Sequence, residues 1–247
     1  MKQVLELDHT DLPESDASDF AEIYEEINAV AVRRKSQIDL FEDPYRKSKI
    51  AWKVAIFSNA MAHRFVALAN GVAISWNCRN ILSAVLNARA MIETVAIYYE
   101  FGGLLSKHLI ELDFGSIDAL SMSYLFSTRD KEDLKKWPEL KARQVLDAID
   151  LIDETLIPNF RSHYDRLSER CHPNSAGHRF LFSTLDRQTG LTAFSDDLDL
   201  RYISPLKCAL GTAVIFRHAL ESIENETEHL ASAHHAASPS PLTHVGQ

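Results

Sequence analysis

Apolar residues recur at helical spacing from the first quarter of the chain onward. A first run, over about residues 16–39, has acidic residues at its start and basic residues at its end, an order that complements the helix dipole. A second run predicts a helix over about residues 47–69, with Gly71 just past its end as a stop signal. The first quarter therefore predicts two long helices.

The next run differs because its apolar residues lie nearly all round the helix. This pattern, over about residues 77–101, is typical of a buried central helix, and Gly102-Gly103 is expected to end it. Shorter helices are expected over about 104–112, 116–126 and 139–156, with a charged connector before the last of them.

The pattern changes after the helix that Pro158 is expected to open. Two short runs of apolar and β-branched residues flank a polar turn and predict a β-hairpin over 179–195, with its turn at Gly190. A last long helix is expected over about 200–231.

These elements predict a mainly α fold, a multi-helix bundle with one short β-hairpin. We expect a flexible N-terminus over residues 1–14, a single helical domain over 15–232 and a disordered tail over 233–247. The length of 247 residues and the 46% hydrophobic content suffice for one full core.

Composition narrows the classes of partner. The net charge of −9 argues against a protein whose main role is to coat DNA or anionic lipid, because basic surfaces hold such partners. The three cysteines form no CxxC pair, which argues against a disulfide scaffold or a zinc ribbon. No signal-peptide pattern is visible, and the longest uncharged apolar stretch, 65–78, is too short to span a bilayer. We therefore expect a cytoplasmic protein without a membrane partner.

The segment from Tyr164 to Asn174 carries the most informative group of polar residues. Proline disfavours the α conformation in the residue before it, so Pro173 should end the helix near Cys171. His172 would then extend from a backbone of fixed conformation. The arginines and histidines between Arg161 and Arg187 outnumber the acidic residues there, which predicts a basic patch on an acidic chain.

A second polar pair lies within the central apolar helix. Arg89 and Glu93 are four residues apart, on one side of a helix with little other polar surface. We expect them to be buried and paired, with the pair extended by Tyr164, Ser168 or His172.

Arg166 and His172, separated by five residues, resemble the Arg-x(4–6)-His motif of the HEPN superfamily. That superfamily includes helical, metal-independent endoribonucleases of toxin, antiphage and RNA-processing systems. A polar residue usually follows the arginine there, whereas this chain has Leu167. The resemblance implies that His172 and Arg166 are catalytic, that no cofactor is needed, and that a homodimer forms the groove for RNA. It also makes an antitoxin a candidate protein partner.

The chain resembles a second group more closely, bacterial helical proteins of unassigned activity. They carry an Arg-x3-Glu pair on an early central helix and a later Tyr-x3-Ser-x3-His-Pro segment. The residues expected to support the site are Arg89, Glu93, Tyr164, Ser168, Glu169 and Asn174.

Two alternatives to a nuclease follow from the same residues. Glu169-x2-His172 and Glu226-x2-His229 have the spacing of di-iron bundles, with Glu93 and Glu100 as further candidate ligands, although the placement is incomplete. The other alternative is a non-catalytic helical protein that binds a protein partner, in which His172 only caps a helix end.

Overall fold

A computed structural model of the protein describes residues 4–8, 12–195 and 203–237. In this part the chain forms nine α-helices and one two-stranded antiparallel sheet, which confirms the predicted fold class. The helices are α1 (Glu14–Arg33), α2 (Lys49–Asn77), α3 (Ile81–Ile110), α4 (Phe114–Leu125), α5 (Lys131–Lys136), α6 (Val145–Thr155), α7 (Phe160–Cys171), α8 (Ile203–Gly211) and α9 (Ala213–Ala237).

The chain divides into two compact units. The first comprises residues 1–34, 61–100 and 144–218, and the second comprises residues 35–60, 101–143 and 219–247. Helices α2, α3 and α9 have residues in both units. A single domain over residues 15–232 remains a prediction.

The core of the first unit contains a stack of three aromatic rings. The ring centroids of Phe65 and Phe216 lie 4.4 Å apart, and those of Tyr98 and Phe216 lie 4.5 Å apart. Helix α1 covers this unit with an apolar face, and Lys207 of α8 holds it through ion pairs to Asp16 at 2.5 Å and Asp19 at 2.6 Å. The apolar periodicity of α1 in the sequence therefore corresponds to a buried face of the helix.

The second unit has its own aromatic cluster. Phe57 lies 4.6 Å from Phe101 between ring centroids, and Phe101 lies 5.1 Å from Tyr124. An ion pair between Lys53 Nζ and Asp118 Oδ1, at 2.6 Å, joins α2 to α4.

Two predicted helix ends are wrong because their glycines lie inside helices. Gly71 lies within α2, where a Cβ would come 2.7 Å from Asn87 Oδ1 of α3, so glycine permits a close approach of the two helices. Helix α3 continues through Gly102 and Gly103 to Ile110, and the separate helix expected over 104–112 is its last part. The helix expected over 139–156 is also shorter, because α6 begins at Val145 after a 3-10 turn at Pro138–Leu140.

The elements around the predicted site agree with the sequence. Helix α7 begins at Phe160, just after Asn159, whose φ of 68° turns the chain from Pro158 into the helix. A π-helical turn, Ser175–Arg179, and one further turn, Phe180–Phe182, lead into the predicted hairpin. Its strands are β1 (Ser183–Leu185) and β2 (Thr192–Phe194), paired in antiparallel register, with Gly190 at φ 74° in the turn.

The end regions differ from the predictions in detail. Helix α9 extends to Ala237, into the region predicted as a tail, and residues 238–247 lie outside the described part. Residues 4–8, predicted to belong to a flexible N-terminus, lie against the first unit with Val4 and Leu7 buried.

Helix α3 alone among the described helices is long and apolar enough to span a bilayer, judged by length and composition. Within its most apolar window, 56% of the residues are buried inside the protein. The core helix of a soluble protein has the same property, so this helix gives no reason to place the chain in a membrane.

Candidate functional site

Helix α7 ends where Pro173 was expected to end it. Its last residue is Cys171, and His172 follows with φ −87° and ψ 149°, in the extended region. This confirms the predicted backbone placement of His172.

Helix α7 has one buried face and one exposed face. Phe160, Tyr164 and Leu167 are buried, and Arg166 is exposed one residue before Leu167. Leu167 is completely buried, so a polar side chain at this position would lose its contact with water. Packing in the core therefore explains why leucine stands where the HEPN motif usually has a polar residue.

Arg89, Glu93 and Tyr164 form the polar cluster that joins α3 to α7. Arg89 Nε lies 3.1 Å from Glu93 Oε1, and the Tyr164 hydroxyl donates to the same carboxylate oxygen at 2.9 Å. Arg89 Nη2 donates to the Tyr164 hydroxyl oxygen at 3.2 Å, which closes a triangle of interactions. The predicted pair and its extension by Tyr164 are both present.

The burial of this pair was overestimated from the sequence. The side chains of Arg89 and Glu93 are 28% and 26% exposed, so both are half-buried. Burial alone would lower the pKa of Arg89, but the Tyr164 hydroxyl and the Glu93 charge outweigh it and raise that pKa. Burial also raises the pKa of Tyr164, which keeps its hydroxyl protonated as a donor to Glu93.

Cys171 belongs to the same cluster, although the sequence analysis did not assign it a role. Burial raises the pKa of the Cys171 thiol, and the nearby charge of Arg89 opposes this only in part. The thiol therefore remains largely protonated at neutral pH and is a weak nucleophile. The signal that could have found it is its spacing, since Cys171 lies two helical turns after Tyr164 and so shares its face.

The two predicted catalytic residues, Arg166 and His172, are exposed to solvent. Within the described part of the chain, the Arg166 side chain and the His172 ring make no hydrogen bond or ion pair. Neither His172 nor Ser168 joins the cluster of Arg89, Glu93 and Tyr164 by a hydrogen bond. The site therefore has an organised inner cluster and free outer groups.

A tight turn after His172 fixes the backbone at that position. The Asn174 amide nitrogen Nδ2 donates to Glu169 Oε2 at 2.8 Å, and its Oδ1 accepts the backbone N–H groups of Ala176 and Gly177 at 3.0 Å. A Cβ on Gly177 would lie 1.8 Å from the carbonyl oxygen of His172, so only glycine fits against this backbone. Asn174 and Glu169 thus support the turn, and Gly177 is a second residue that the sequence analysis missed.

The predicted basic patch is weaker than the residue count indicated. Arg161 forms ion pairs with Asp150 Oδ1 at 2.6 Å and Asp165 Oδ1 at 3.0 Å, and these hydrogen bonds raise its pKa. Its charge is therefore balanced locally, and it ties α6 to α7. Arg170 donates to the backbone carbonyl of Arg166 at 2.7 Å.

A di-iron centre has no support in the described residues. No group of three or more His, Cys, Asp or Glu side chains comes together there as a metal ion would require. Glu169, one of the candidate ligands, instead accepts the hydrogen bond from Asn174.

Comparisons with protein families, curated proteins and solved structures give no match to this chain. The geometry of the Tyr164–Gly177 region therefore carries the functional argument. The imidazole of His172 and the guanidinium of Arg166 are exposed to solvent on this segment. Hydrogen bonds among Arg89, Glu93 and Tyr164 join its helix, α7, to α3. The guanidinium can bind an anion, and the imidazole can form hydrogen bonds to a ligand.

Proposed function

We propose that this protein is an HEPN-like, metal-independent endoribonuclease of the toxin or defence type. The observation that carries the proposal is the exposure of Arg166 and His172, both free of partners in the described residues, beside a turn that admits only glycine at 177. The donors of Arg166 and His172 face solvent and are open to a ligand, whereas the guanidinium of Arg161 is engaged by Asp150 and Asp165.

Cleavage of RNA without a metal needs two kinds of group. His172 would take the proton from the 2′-hydroxyl that attacks the neighbouring phosphorus, the P–O5′ bond would break, and the leaving 5′-oxygen would take a proton from water. Arg166 would stabilise the negative charge that develops on the phosphorane oxygens. RNA would meet this exposed guanidinium and imidazole although the whole chain is acidic, and a homodimer would place two such pairs along one groove.

The test is cleavage of single-stranded RNA by the purified chain in EDTA. We expect products with 2′,3′-cyclic phosphate ends, because the 2′-oxygen is the nucleophile. His172→Ala and Arg166→Ala should each lower the rate at least about 100-fold without loss of folded protein.

His229→Ala serves as the matched control, because His229 is an exposed histidine on α9, outside the proposed site. Its rate should stay within about threefold of wild type, the range expected for a group with no role in the transition state. Cleavage that survives both site substitutions, or its absence with a well-folded chain over varied RNAs, would contradict the proposal.

A second candidate function, binding of a protein partner without catalysis, is favoured by the hairpin that follows the site. Leu191 and Phe194 are 70% and 79% exposed there, and exposed large apolar side chains are typical of partner surfaces. An antitoxin would be one such partner. If the chain cleaves no RNA, a pull-down from cell lysate tests this alternative. The wild-type chain should retain one discrete protein that Phe194→Ser does not retain.

A further inference from the structure

Residues 4–8 lie in extended conformation against α1 and α2, and side chains of those helices hold their backbone. Val4 and Leu7 are 8% and 1% exposed, whereas Leu5, Glu6 and Asp8 point to solvent. The segment therefore buries two apolar side chains three residues apart and leaves its acidic side chains outside.

Three backbone amides of the segment have side-chain acceptors. The acceptors are Asn70 Oδ1 for Leu5 at 2.8 Å, the Tyr24 hydroxyl for Leu7 at 2.8 Å, and Asn77 Oδ1 for Asp8 at 2.6 Å. Two of its carbonyls have side-chain donors as well. The donors are Asn77 Nδ2 to Glu6 at 3.0 Å and Trp76 Nε1 to Asp8 at 3.0 Å.

This pattern is that of a peptide-binding site. Backbone groups supply the hydrogen bonds and two side chains supply the buried apolar surface, as in other sites that recognise extended peptides. Asn77 is central, because its amide both donates to and accepts from the segment. No part of this recognition depends on the covalent link between the segment and α1.

We propose that the α1–α2 face is a binding site for an extended peptide, and that residues 4–8 of a second copy of this chain bind it in trans. A second copy carries the same segment and so satisfies the same five backbone contacts. This inference is independent of the proposed nuclease activity.

The chain's own segment competes with any incoming one. A short tether gives it an effective concentration on the order of millimolar, so a free peptide at micromolar concentration displaces little of it. Binding of a segment in trans becomes measurable when substitutions prevent the chain's own residues 4–8 from occupying the site.

The experiment uses the full-length chain with Val4→Asp and Leu7→Asp, which place charges where the apolar side chains are buried. A fluorescent synthetic peptide of residues 2–10 is titrated with this variant and with wild type, and fluorescence anisotropy is measured. We expect saturable micromolar binding to the variant and binding at least about tenfold weaker to wild type.

Two controls test the mode of binding. Adding Asn77→Ala to the variant removes one donor and one acceptor, and should weaken binding of the peptide about tenfold. A peptide that itself carries Asp at the positions of Val4 and Leu7 should not bind.

Equal binding of both peptides, or no saturable binding by a variant that circular dichroism shows to be folded, overturns the proposal. If the double variant does not fold, the same titration is made with full-length Leu7→Ala. Binding of the peptide to Leu7→Ala no tighter than to wild type also overturns it.

Discussion

Tyr164 is the residue on which the geometry of the candidate site depends most. Its hydroxyl donates to Glu93 and accepts from Arg89, and the Arg89 guanidinium carbon lies 5.6 Å from the centroid of its ring. One side chain of α7 therefore contacts both members of the Arg89–Glu93 ion pair of α3.

Tyr164→Phe should reduce the free energy of unfolding by about 1–2 kcal/mol. It leaves the ring in place but removes a hydroxyl bonded to charged groups, and the half-exposed pair recovers part of the loss from water. Chemical denaturation followed by circular dichroism measures the change.

Tyr99→Phe is the matched control, because among the described residues the Tyr99 hydroxyl has one partner, the Thr155 hydroxyl at 3.5 Å, in an exposed position. Its effect should stay below about 0.5 kcal/mol, the range of ordinary surface changes. Equal effects of the two substitutions would show that the cluster contributes no special stability.

At the scale of residues, the sequence predicted one ion pair that follows helical spacing. Arg89 and Glu93 are four positions apart on one helix, and the pair formed as expected. The contact of Arg161 with Asp165 was missed although these residues have the same four-residue spacing. The contact of Arg161 with Asp150 was not predicted, because Asp150 belongs to a neighbouring helix whose orientation no spacing reveals. The overestimated burial of Arg89 and Glu93 has a similar cause, since exposure depends on which neighbours cover α3.

At the scale of elements, glycine plays opposite roles in the turn after α7 and in the middle of α3. Gly177 lies against the backbone of His172, whereas a Cβ on Gly103 would meet nothing within 4 Å. The same substitution should therefore have opposite signs at the two positions.

Gly177→Ala should destabilise the protein by at least about 2 kcal/mol, because a methyl group cannot occupy the space taken by a backbone oxygen. Gly103→Ala should stabilise it by about 0.5–1 kcal/mol, because alanine at this exposed position loses less conformational entropy on folding than glycine does. Thermal unfolding of both variants checks the two signs. Similar shifts in the same direction would contradict the close approach at Gly177.

The sequence predicted the existence of most elements better than their ends. Apolar periodicity and Pro173 located α7 and its end, since both signals act within a few residues. Gly71 and Gly102-Gly103 were misread as stops, because a glycine inside a helix has the same sequence signal as one just past its end. At Gly71 the decisive fact is contact with Asn87, which lies sixteen residues away along the chain.

At the scale of the whole molecule, large apolar side chains remain exposed on the described surface. Ile110, Phe194 and Leu191 are among them, at 84%, 79% and 70% exposure. These side chains are available for self-association.

We expect a homodimer in solution, with a light-scattering mass of twice the 27.9 kDa of one chain. The resemblance to HEPN proteins implies a symmetric groove, and the exposed apolar side chains would supply contact area. Multi-angle light scattering at micromolar concentration measures the mass. His172→Ala should keep the same mass as wild type. A monomer under these conditions would contradict the proposed groove between two copies of the chain.

Composition does not show where the two compact units divide. No linker rich in proline, glycine or serine separates the two compact units, because α2, α3 and α9 run from one into the other. Composition locates domains only where the chain leaves regular structure between them.

The docking of residues 4–8 also sets an order of events during synthesis. The segment is made before Asn70 and Asn77, which lie 65 and 69 residues beyond the amides they accept. At a typical translation rate of about 5–20 residues per second, Asn70 and Asn77 are synthesised roughly 3–14 seconds after the segment that they bind. During that interval the apolar side chains of Val4 and Leu7 have no site within their own chain.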